Sequence, residues 1–493
     1  MKSLKSGLCM IFVVVLIFSI AGCNKSDATK GDVSKEGKLV FLTTGDTAAN
    51  AIKPGDRIIE EINKRLGIDL EVQFVPEGGF EKINVAIASG DYPDVVTANY
   101  PSSALKQWID EGILIPLNDY LPEMPTVKQR LEQSLSWTAV DGKYYGYPFI
   151  GETSNASLAY RADWLEKLGI QPPETIDEFY EALKAISAQG DDIYGLTAQK
   201  DSRFDFVFFA YGLPHGDYVL NKEGKVVPFF EHPSFEQGLV FLRKLWDEKL
   251  LDLEFLLNDT QQREQKFYQG KVGFMEAPLY RHVNRIEGNL QKVDSNGKLG
   301  YMHPPAGPDG TRGMSIAKKS GLFTGVTKKA ANPEKAAKFI EFMVSEEGRE
   351  LLQLGIEGVH YTKNGDEIIY HEEEREKDSF ASDGWSHPLA WGSVAWPLSE
   401  NYLPQTEPES DRAKESVEIA TENMIPNLVN VTTNEEIENN SILDEIFNQY
   451  FIEMITGKID IEEGMAKLSE KWRDQGGNKV LDAVNKTYKE QNN

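Results

Sequence analysis

The sequence has few cysteines, no excess of positive charge and few histidines, and each scarcity excludes a class of protein. Two cysteines in 493 residues are too few for a disulfide framework and are not spaced as zinc ligands. The 52 basic residues stand against 78 acidic ones, which gives a formal net charge of −26. Such a surface repels phosphate backbones, and no basic arm offsets it, so we expect no nucleic-acid partner. The seven scattered histidines predict neither a bound metal nor a cofactor.

Long apolar runs are also scarce, and the longest lies at the N-terminus. Residues 8–20 are apolar except for Ser19 and follow two lysines, Lys2 and Lys5. The run fits a signal-peptide core of roughly 7–15 residues and falls short of the ~20 residues that a membrane-spanning helix needs. We therefore predict a signal peptide over residues 1–22, with an uncleaved anchor or an ordinary secretory signal as alternatives.

One of the two cysteines, Cys23, stands where the apolar run ends. The preceding residues give the sequence IAGC, which resembles a bacterial lipobox. Small residues let the backbone enter a peptidase, and the thiol takes the lipid before cleavage makes it the new N-terminus. Acyl chains contribute about 0.8 kcal/mol per buried methylene, so two or three of them anchor stably. We predict that Cys23 is lipidated and holds the protein on the outer face of the cell membrane.

The segment after Cys23 is almost free of apolar residues. Residues 23–36 therefore predict a flexible tether between the anchor and the folded body. The body is long enough for two or three domains, and 40% of the chain is hydrophobic.

Strand and helix patterns alternate along the body, which indicates α/β lobes with mainly parallel sheets. The segment DLEVQFV alternates as a strand, and KVGFMEA also predicts one. Helix N-caps are predicted at Asp56, Thr175 and Asn332, and Gly67 ends the helix that Asp56 begins.

Several segments in order resemble bacterial extracellular solute-binding proteins, the lipid-anchored receptors of ABC importers for sugars and oligosaccharides. They include SGDYPDVV (89–96), DGKYYGYPF (141–149), LAYRADWLEKLGI (158–170), KVGFMEAPLY (271–280) and NPEKAAKFIEFMVSEEGRELLQLGIEG (332–358). In its length and in the segment GIEGVHY, the chain resembles the long-chain subgroup of this family, which is associated with complex oligosaccharides.

The resemblance implies two α/β lobes that close on a hinge around a ligand in the cleft between them. It places the first lobe at residues 37–146 and 303–345, and the second at 147–302 and 346–493. It implies a monomer that presents a saccharide to permease subunits and is not an enzyme. A peptide or other non-sugar ligand is the alternative, and a secreted glycoside hydrolase is a more distant one.

Candidate ligand contacts follow from the resemblance and from the chemistry of sugars, which offer an apolar face and a polar rim. The tryptophans in the segment WSHPLAWGSVAWP suit the apolar face of a sugar, and polar residues at strand ends suit its polar rim. Two or more of Arg161, Arg203, Arg281 and Arg285 facing the cleft would indicate an acidic ligand, and fewer would indicate a neutral one. The candidates are Asp46, Asn99, Tyr100, Glu152, Arg203, Phe204, Asp205, Tyr280, Arg281, Trp385, Trp391 and Trp396.

Some long oligosaccharide binders carry a calcium loop after the first helix of the second lobe. In this chain that place has the sequence AISAQGDDIYG, with too few alternating oxygen ligands for such a site. We therefore predict no calcium ion at Asp191 or Asp192.

Overall fold

Two separate β-sheets, each covered by helices, organise the folded part of the chain. The structure is a computed structural model that describes residues 37–44, 52–75, 80–90, 92–100, 103–134, 139–140, 142–148, 156–278, 286–315, 321–365, 367–380, 386–392, 409–429 and 432–492. The signal peptide, Cys23 and the tether predicted from the sequence lie outside the described residues. Glu36–Asn493 form one compact unit. No helix in the described ranges has the length and apolar character needed to cross a membrane.

The strands are short. They are β1 (Lys38–Thr44), β2 (Asp69–Val75), β3 (Val95–Tyr100), β4 (Ala139–Val140), β5 (Lys143–Tyr144), β6 (Tyr147–Pro148), β7 (Ala156–Arg161), β8 (Tyr194–Thr197), β9 (Tyr218–Leu220), β10 (Val226–Pro228), β11 (Val272–Pro278), β12 (Leu299–Met302), β13 (Met314–Ser315), β14 (Gly321–Val326), β15 (Tyr361–Asn364), β16 (Glu367–Tyr370) and β17 (Met424–Ile425).

The α-helices surround the sheets and dominate the C-terminal region. They are α1 (Arg57–Leu66), α2 (Phe80–Ala88), α3 (Ser103–Asp110), α4 (Pro125–Ser134), α5 (Ala162–Leu168), α6 (Ile176–Ser187), α7 (Asp205–Ala210), α8 (Pro233–Asp247), α9 (Thr260–Tyr268), α10 (Gly288–Val293), α11 (Pro333–Val344), α12 (Glu346–Gln353), α13 (Glu372–Lys377), α14 (Pro388–Gly392), α15 (Glu409–Glu422), α16 (Asn434–Ile455), α17 (Ile461–Trp472) and α18 (Asn478–Gln491). Short 3-10 turns occupy Leu121–Glu123, Phe229–Glu231 and Phe255–Leu257.

The first sheet has the strand order β2-β1-β3-β14-β6. Strands β1, β2 and β3 are parallel, and β14 runs antiparallel to both of its neighbours. Alternation along β1 sends Phe41 to a core with α1 and α11, and Leu42 to a second core with α2 on the opposite face. The ring of Phe41 meets Phe339 of α11 edge to face at 5.4 Å. The sheet is thus buried by helices on both faces, as parallel sheets require.

The predicted helix caps are confirmed. The Asp56 carboxylate accepts hydrogen bonds from the backbone N–H groups of Ile58 and Ile59 at 2.9 and 3.2 Å, and Gly67 ends α1 in the left-handed conformation. Thr175 forms a capping box at the start of α6, and the Asn332 side chain accepts from the third residue of α11. The strands predicted at DLEVQFV and KVGFMEA are confirmed as β2 and β11.

The second sheet has the strand order β12-β7-β11-β8. Strand β7 runs antiparallel to β11 and β12, and β8 is parallel to β11. One face packs on α6 through Phe274, which meets Phe179 edge to face at 5.1 Å. The same core extends to α8 and α16, where Phe447 and Phe451 stack at 5.2 Å. The opposite face carries a smaller core with Phe267 of α9.

The described packing divides the chain differently from the lobe boundaries expected from the sequence. Residues 346–392, expected in the second lobe, pack on the core of the first sheet through Leu352, Phe380 and Leu389. Residues 303–315, expected in the first lobe, lie against the second sheet, where Met314 joins the large core. We therefore propose that the described residues of 37–148 and 321–392 belong to the first lobe, and those of 156–315 and 409–492 to the second.

The two lobes also approach each other through helices. Pairs of Cα atoms in α3 and α16 lie within 8 Å. Lys106 of α3, paired with Asp110 at 2.6 Å, also lies in the electrostatic field of Glu438 in α16. The long helix α16 thus belongs to the core of the second lobe at one end and reaches the first lobe at the other.

Candidate functional site

The carboxyl ends of the parallel strands define one edge of each sheet. In the first sheet β1, β2, β3 and β6 all end at the edge where β14 begins, because Gly321 pairs with Tyr100. In the second sheet β8, β11 and β12 end where β7 begins, because Pro278 pairs with Ala156. Open α/β sheets bind ligands at such edges.

Two short chain segments join these edges. Residues 149–155 connect the end of β6 to the start of β7. Residues 316–320 connect β13 to the start of β14; β13 pairs with β17 outside the second sheet, but its Ser315 hydroxyl donates to Asp205, which follows β8. An extended chain covers at most ~3.6 Å per residue, so the segments span no more than roughly 29 and 22 Å. The two edges are therefore held within roughly 29 Å of each other, and the space between them is the candidate ligand site.

Of the candidate ligand contacts, Arg203, Phe204 and Asp205 have described side chains, and they lie at this edge of the second sheet. They follow β8 and begin α7. Asn99 and Tyr100 end β3 and Trp391 lies in α14, but their side chains are outside the described residues. The remaining candidates also lie outside them: Asp46, Glu152, Tyr280, Arg281, Trp385 and Trp396. For all of these the role stays a prediction.

Arg203 is held by carboxylates. Its guanidinium donates to Asp217 at 2.7 Å and to Asp205 at 3.1 Å, and to the backbone carbonyl of Gly216 at 3.0 Å. The group also lies over the Phe229 ring, 4.3 Å from its centroid. Burial opposes the charge, but Asp205 and Asp217 outweigh burial and raise the pKa of the Arg203 guanidinium above its ordinary value. Arg203 is therefore a fixed cation, and three of its five N–H donors are used by described residues.

Phe204 belongs to the core rather than to an accessible surface. Its ring is 1% exposed and meets Phe255 edge to face at 5.7 Å. Its backbone has φ = 55°, in the left-handed region that is unfavourable for a bulky residue. This conformation turns the chain from the end of β8 into α7 and sets Arg203 and Asp205 on either side. In this structure Phe204 thus positions its neighbours, and its ring offers no surface to a ligand.

Sequence reasoning missed Glu276 and Arg263, which lie at the same edge. Glu276 lies near the end of β11 and Arg263 in the first turns of α9, whose start is tied to the end of β8 by a hydrogen bond from Thr260 to Gln199 at 3.2 Å. Burial, with a further contribution from Asp205, raises the pKa of Glu276 to about 7. Alternation along β11 could have indicated Glu276, since it interrupts an otherwise apolar strand.

Arg263 is buried with an unsatisfied donor. The side chain is 5% exposed, and its Nε has no hydrogen-bond partner among the described residues. Burial lowers the pKa of the Arg263 guanidinium, although the carboxylates of Glu264, Glu276 and Asp201 oppose the shift. We call Asp205, Arg263 and Glu276 together the carboxyl-edge cluster. It combines one guanidinium and two carboxyl groups at the rim of the second sheet, and Asp205 already accepts from Arg203 and Ser315.

The first lobe contains a contrasting polar cluster, formed by Asp56, His360, Asp378 and His387 and here called the histidine cluster. The Nε2 of His387 lies 3.1 Å from Asp56, and the Nε2 of His360 lies 2.7 Å from Asp378. In each ring Nδ1 accepts from a backbone N–H, so Nε2 carries the proton and donates to the carboxylate. The cluster fixes the start of α14, which carries Trp391, to the start of α1.

The described residues show no group of three or more His, Cys, Asp or Glu side chains placed to hold a metal ion. Asp191 and Asp192 are exposed in the turn between α6 and β8.

Comparisons with known proteins agree with this architecture. A family model described as bacterial extracellular solute-binding protein matches residues 49–350. Lipoprotein LipO of Bacillus subtilis is 26% identical over 95% of this chain and 96% of its own. The polygalacturonan/rhamnogalacturonan-binding protein YtcQ of B. subtilis is 26% identical over 98% of both chains. The fructooligosaccharide ABC transporter substrate-binding protein FusA of Streptococcus pneumoniae is 26% identical over 65% of both chains.

Solved structures show the same fold. The alginate-binding protein AlgQ2 without calcium ion superposes with a TM-score of 0.74 at 22% identity, covering 93% of this chain and 99% of AlgQ2. FusA of S. pneumoniae in complex with kestose gives 0.71 at 20% identity, covering 92% and 99%. The chain therefore has the two-lobed α/β fold of periplasmic binding proteins, with its cleft between the lobes.

Proposed function

Since this chain belongs to the family of bacterial extracellular solute-binding proteins, we propose that it is the substrate-binding component of an ABC importer for an oligosaccharide. The observation that carries the proposal is the pair of strand edges joined by residues 149–155 and 316–320, in a chain similar over nearly its whole length to YtcQ. Members of the family bind solutes rather than transform them.

The mechanism that we propose is a shift of population between open and closed forms. A saccharide that contacts both edges stabilises the closed form, and the permease recognises that form. A micromolar dissociation constant corresponds to about 8 kcal/mol, which a few stacked rings and paired hydroxyl groups can supply. In the proposed scheme the protein acts as a monomer, with hydroxyl groups of the sugar meeting the carboxyl-edge cluster.

Isothermal titration calorimetry with purified protein lacking residues 1–22 tests the proposal. The panel contains neutral and acidic oligosaccharides together with peptides. We expect micromolar binding of at least one oligosaccharide and none of the peptides. Binding of peptides alone, or of nothing in the panel, would contradict the proposal.

A hydrolase is the second candidate because burial and the charge of Asp205 raise the pKa of Glu276 to about 7, and interacting carboxyl groups with shifted pKa values are typical of glycosidases. Asp205 is already engaged by Arg203 and by the hydroxyl of Ser315, which leaves it poorly placed to activate water. Chromatography of a bound oligosaccharide after prolonged incubation decides between a binding protein and a hydrolase. Intact ligand supports binding, and shortened products would favour hydrolysis.

We further propose that lipid on Cys23 anchors the protein outside the cytoplasm. In a Cys23→Ala variant we expect the protein to move from the membrane fraction to the medium. The matched control is Cys9→Ala, which keeps the acceptor thiol and should stay with the membrane. Retention of the Cys23→Ala variant in the membrane would contradict lipid anchoring.

A further inference from the structure

The second lobe meets the first through two elements whose side chains converge on Arg203. The first element is the parallel pair of strands β13 and β17, here called the hinge ribbon (Met314–Ser315 and Met424–Ile425), and five residues separate β13 from β14 of the first lobe. The second element is α16, which comes within 8 Å of α3 between Cα atoms and places Glu438, in its first turns, in the field of Lys106. The relation between the hinge ribbon and the start of α16 therefore sets how the lobes meet.

The hinge ribbon is bound to Arg203 through Asp205. The hydroxyl of Ser315, in β13, donates to Oδ2 of Asp205, and Oδ1 of Asp205 accepts from Nε of Arg203 at 3.1 Å. The loop before β9 closes on the other strand of the ribbon, because Nδ1 of His215 lies 2.7 Å from the carbonyl oxygen of Pro426, the residue after β17. Both strands of the hinge ribbon are therefore attached to the segments that surround Arg203.

The start of α16 is bound to the same arginine from the other side. Nη1 of Arg203 donates to Asp217 at 2.7 Å, and the next residue, Tyr218, donates its hydroxyl to Oε1 of Glu436 at 2.8 Å. Oε2 of Glu436 accepts from the backbone N–H of Thr433 at 2.7 Å, within the capping box that begins α16. The phenol of Tyr218 therefore ties β9 to the first turn of α16.

An arginine suits the centre of these contacts because its guanidinium presents five donors in a rigid planar fork. Arg203 directs three of them to Asp205, Asp217 and the carbonyl oxygen of Gly216, and its plane lies over the ring of Phe229. A lysine ammonium is a point charge on a flexible stem and does not fix these directions. We call the linked residues the arginine chain: Ser315, Asp205, Arg203, Asp217, Tyr218 and Glu436.

We infer that Arg203 and Tyr218 are positioning residues for lobe closure. The arginine chain holds the hinge ribbon and the start of α16 in one fixed relation, so that the two elements through which the second lobe meets the first move as one body. The inference rests on the proposed function, because closure around a saccharide is the movement that this relation serves. It gives both residues a role in binding that requires no contact with the ligand.

Hydrogen exchange tests the inference in the protein lacking residues 1–22, measured by mass spectrometry without a ligand. Tyr218→Phe removes the hydroxyl that reaches Glu436. We expect amide exchange to rise at least fivefold in the first turns of α16. It should also rise at least twofold in the hinge ribbon, where the N–H of Met314 donates to the carbonyl oxygen of Asn423 at 2.7 Å. Ser315→Ala should produce a rise in the same two regions from the opposite end of the arginine chain.

Tyr180→Phe is the matched control, because it also removes a tyrosine hydrogen bond to a glutamate of the second lobe, from Tyr180 to Glu248 at 2.7 Å. It should change exchange in neither region. The amides of β7 and β11 report global unfolding, so each rise is read relative to theirs. Exchange that rises only beside the substituted residue, in both Tyr218→Phe and Ser315→Ala, overturns the inference.

Calorimetry of Tyr218→Phe with kestose, raffinose and trigalacturonate connects the arginine chain to binding. A sugar that binds the wild type should bind the variant at least threefold more weakly, because a smaller fraction of the variant reaches the closed form. Equal affinities overturn the role in closure. Absence of binding to the wild type counts against the proposed function instead, and the hydrogen-exchange measurement then decides the inference alone.

Discussion

The histidine cluster of the first lobe is buried, and the carboxyl-edge cluster of the second is partly buried; both are polar, but they differ in how their groups are satisfied. In the histidine cluster both ring nitrogens of each imidazole have partners, and the carboxylates accept from several donors. In the carboxyl-edge cluster Arg263 has a donor with no partner in the part of the chain that the structure describes, and the pKa of Glu276 is raised to about 7. Complete satisfaction indicates a structural role, whereas an unsatisfied buried donor requires an explanation other than local stabilisation.

The largest effect should come from removing the acceptor at the centre of the histidine cluster. Asp378 accepts from His360 at 2.7 Å, from the Arg57 backbone at 3.0 Å and from the Arg57 guanidinium. In Asp378→Ala these donors lose their partner, and we expect the free energy of unfolding to fall by about 3–5 kcal/mol. Urea denaturation measures the change. Asp378→Asn keeps one acceptor oxygen and should lower the free energy of unfolding by less. A decrease below about 1 kcal/mol in Asp378→Ala would contradict the structural role of the histidine cluster.

A change of the opposite sign is expected in the carboxyl-edge cluster. Because burial, reinforced by Asp205, raises the pKa of Glu276 to about 7, the folded protein favours the protonated carboxyl group. The free energy of unfolding therefore falls as pH rises from about 4.5 to 7, and it stays lower above that range.

Glu276→Gln removes the cost of ionising this carboxyl group in the folded protein. The variant should therefore be more stable than wild type by roughly 1–3 kcal/mol at pH 8. The two proteins should be equally stable at pH 4. Denaturation curves at both values check the prediction, with Glu166→Gln, at a 75% exposed side chain in α5, as the control. Destabilisation at pH 8 would show that Glu276 is structural like the histidine cluster.

The histidine cluster should respond to acid. Burial lowers the pKa of His360 below its ordinary value of 6.5, together with Arg57 and Arg375 and against the carboxylate of Asp378. The folded protein thus keeps the imidazole neutral, and below pH 6.5 the unfolded chain binds the proton first. The free energy of unfolding should therefore decrease as the pH falls below 6.5, by at most about 1.4 kcal/mol per pH unit.

His360→Gln keeps a donor and an acceptor but does not titrate in this range. Its difference in unfolding free energy from wild type should therefore shrink between pH 7 and pH 5. A difference that stays constant over that interval would mean that His360 does not sense pH.

The smallest effect serves as a reference for ion pairing without burial. Arg243 pairs with Asp247 one turn along α8 at 2.9 Å, and the Asp247 side chain is 54% exposed. We expect Asp247→Asn to change stability by less than about 0.5 kcal/mol, because solvent screens such pairs. A cost comparable with that of Asp378→Ala would mean that ion pairing rather than burial distinguishes the clusters.

Local features of this fold could be predicted from the sequence, and features that depend on distant packing could not. Asp56 and Thr175 are recognisable as caps because their partners lie within three residues. The contact of Asp56 with His387 joins residues 331 positions apart, so no local pattern places residues 346–392 on the first lobe. Likewise, Phe204 lies in a segment that suggests a cleft, but the turn into α7 rotates its ring into the core.

The position of helix α16 between the two lobes makes their relative movement measurable. At 22 residues the helix is about 33 Å long. Phe447 and Phe451 anchor it in the core of the second lobe, and its other end approaches α3, where Lys106 interacts electrostatically with Glu438. Any rotation of one lobe against the other changes that spacing. Cysteine is so scarce that dyes placed at positions 106 and 438 would be the only thiol labels on a soluble version beginning after Cys23. Energy transfer between them would then follow opening and closing one molecule at a time.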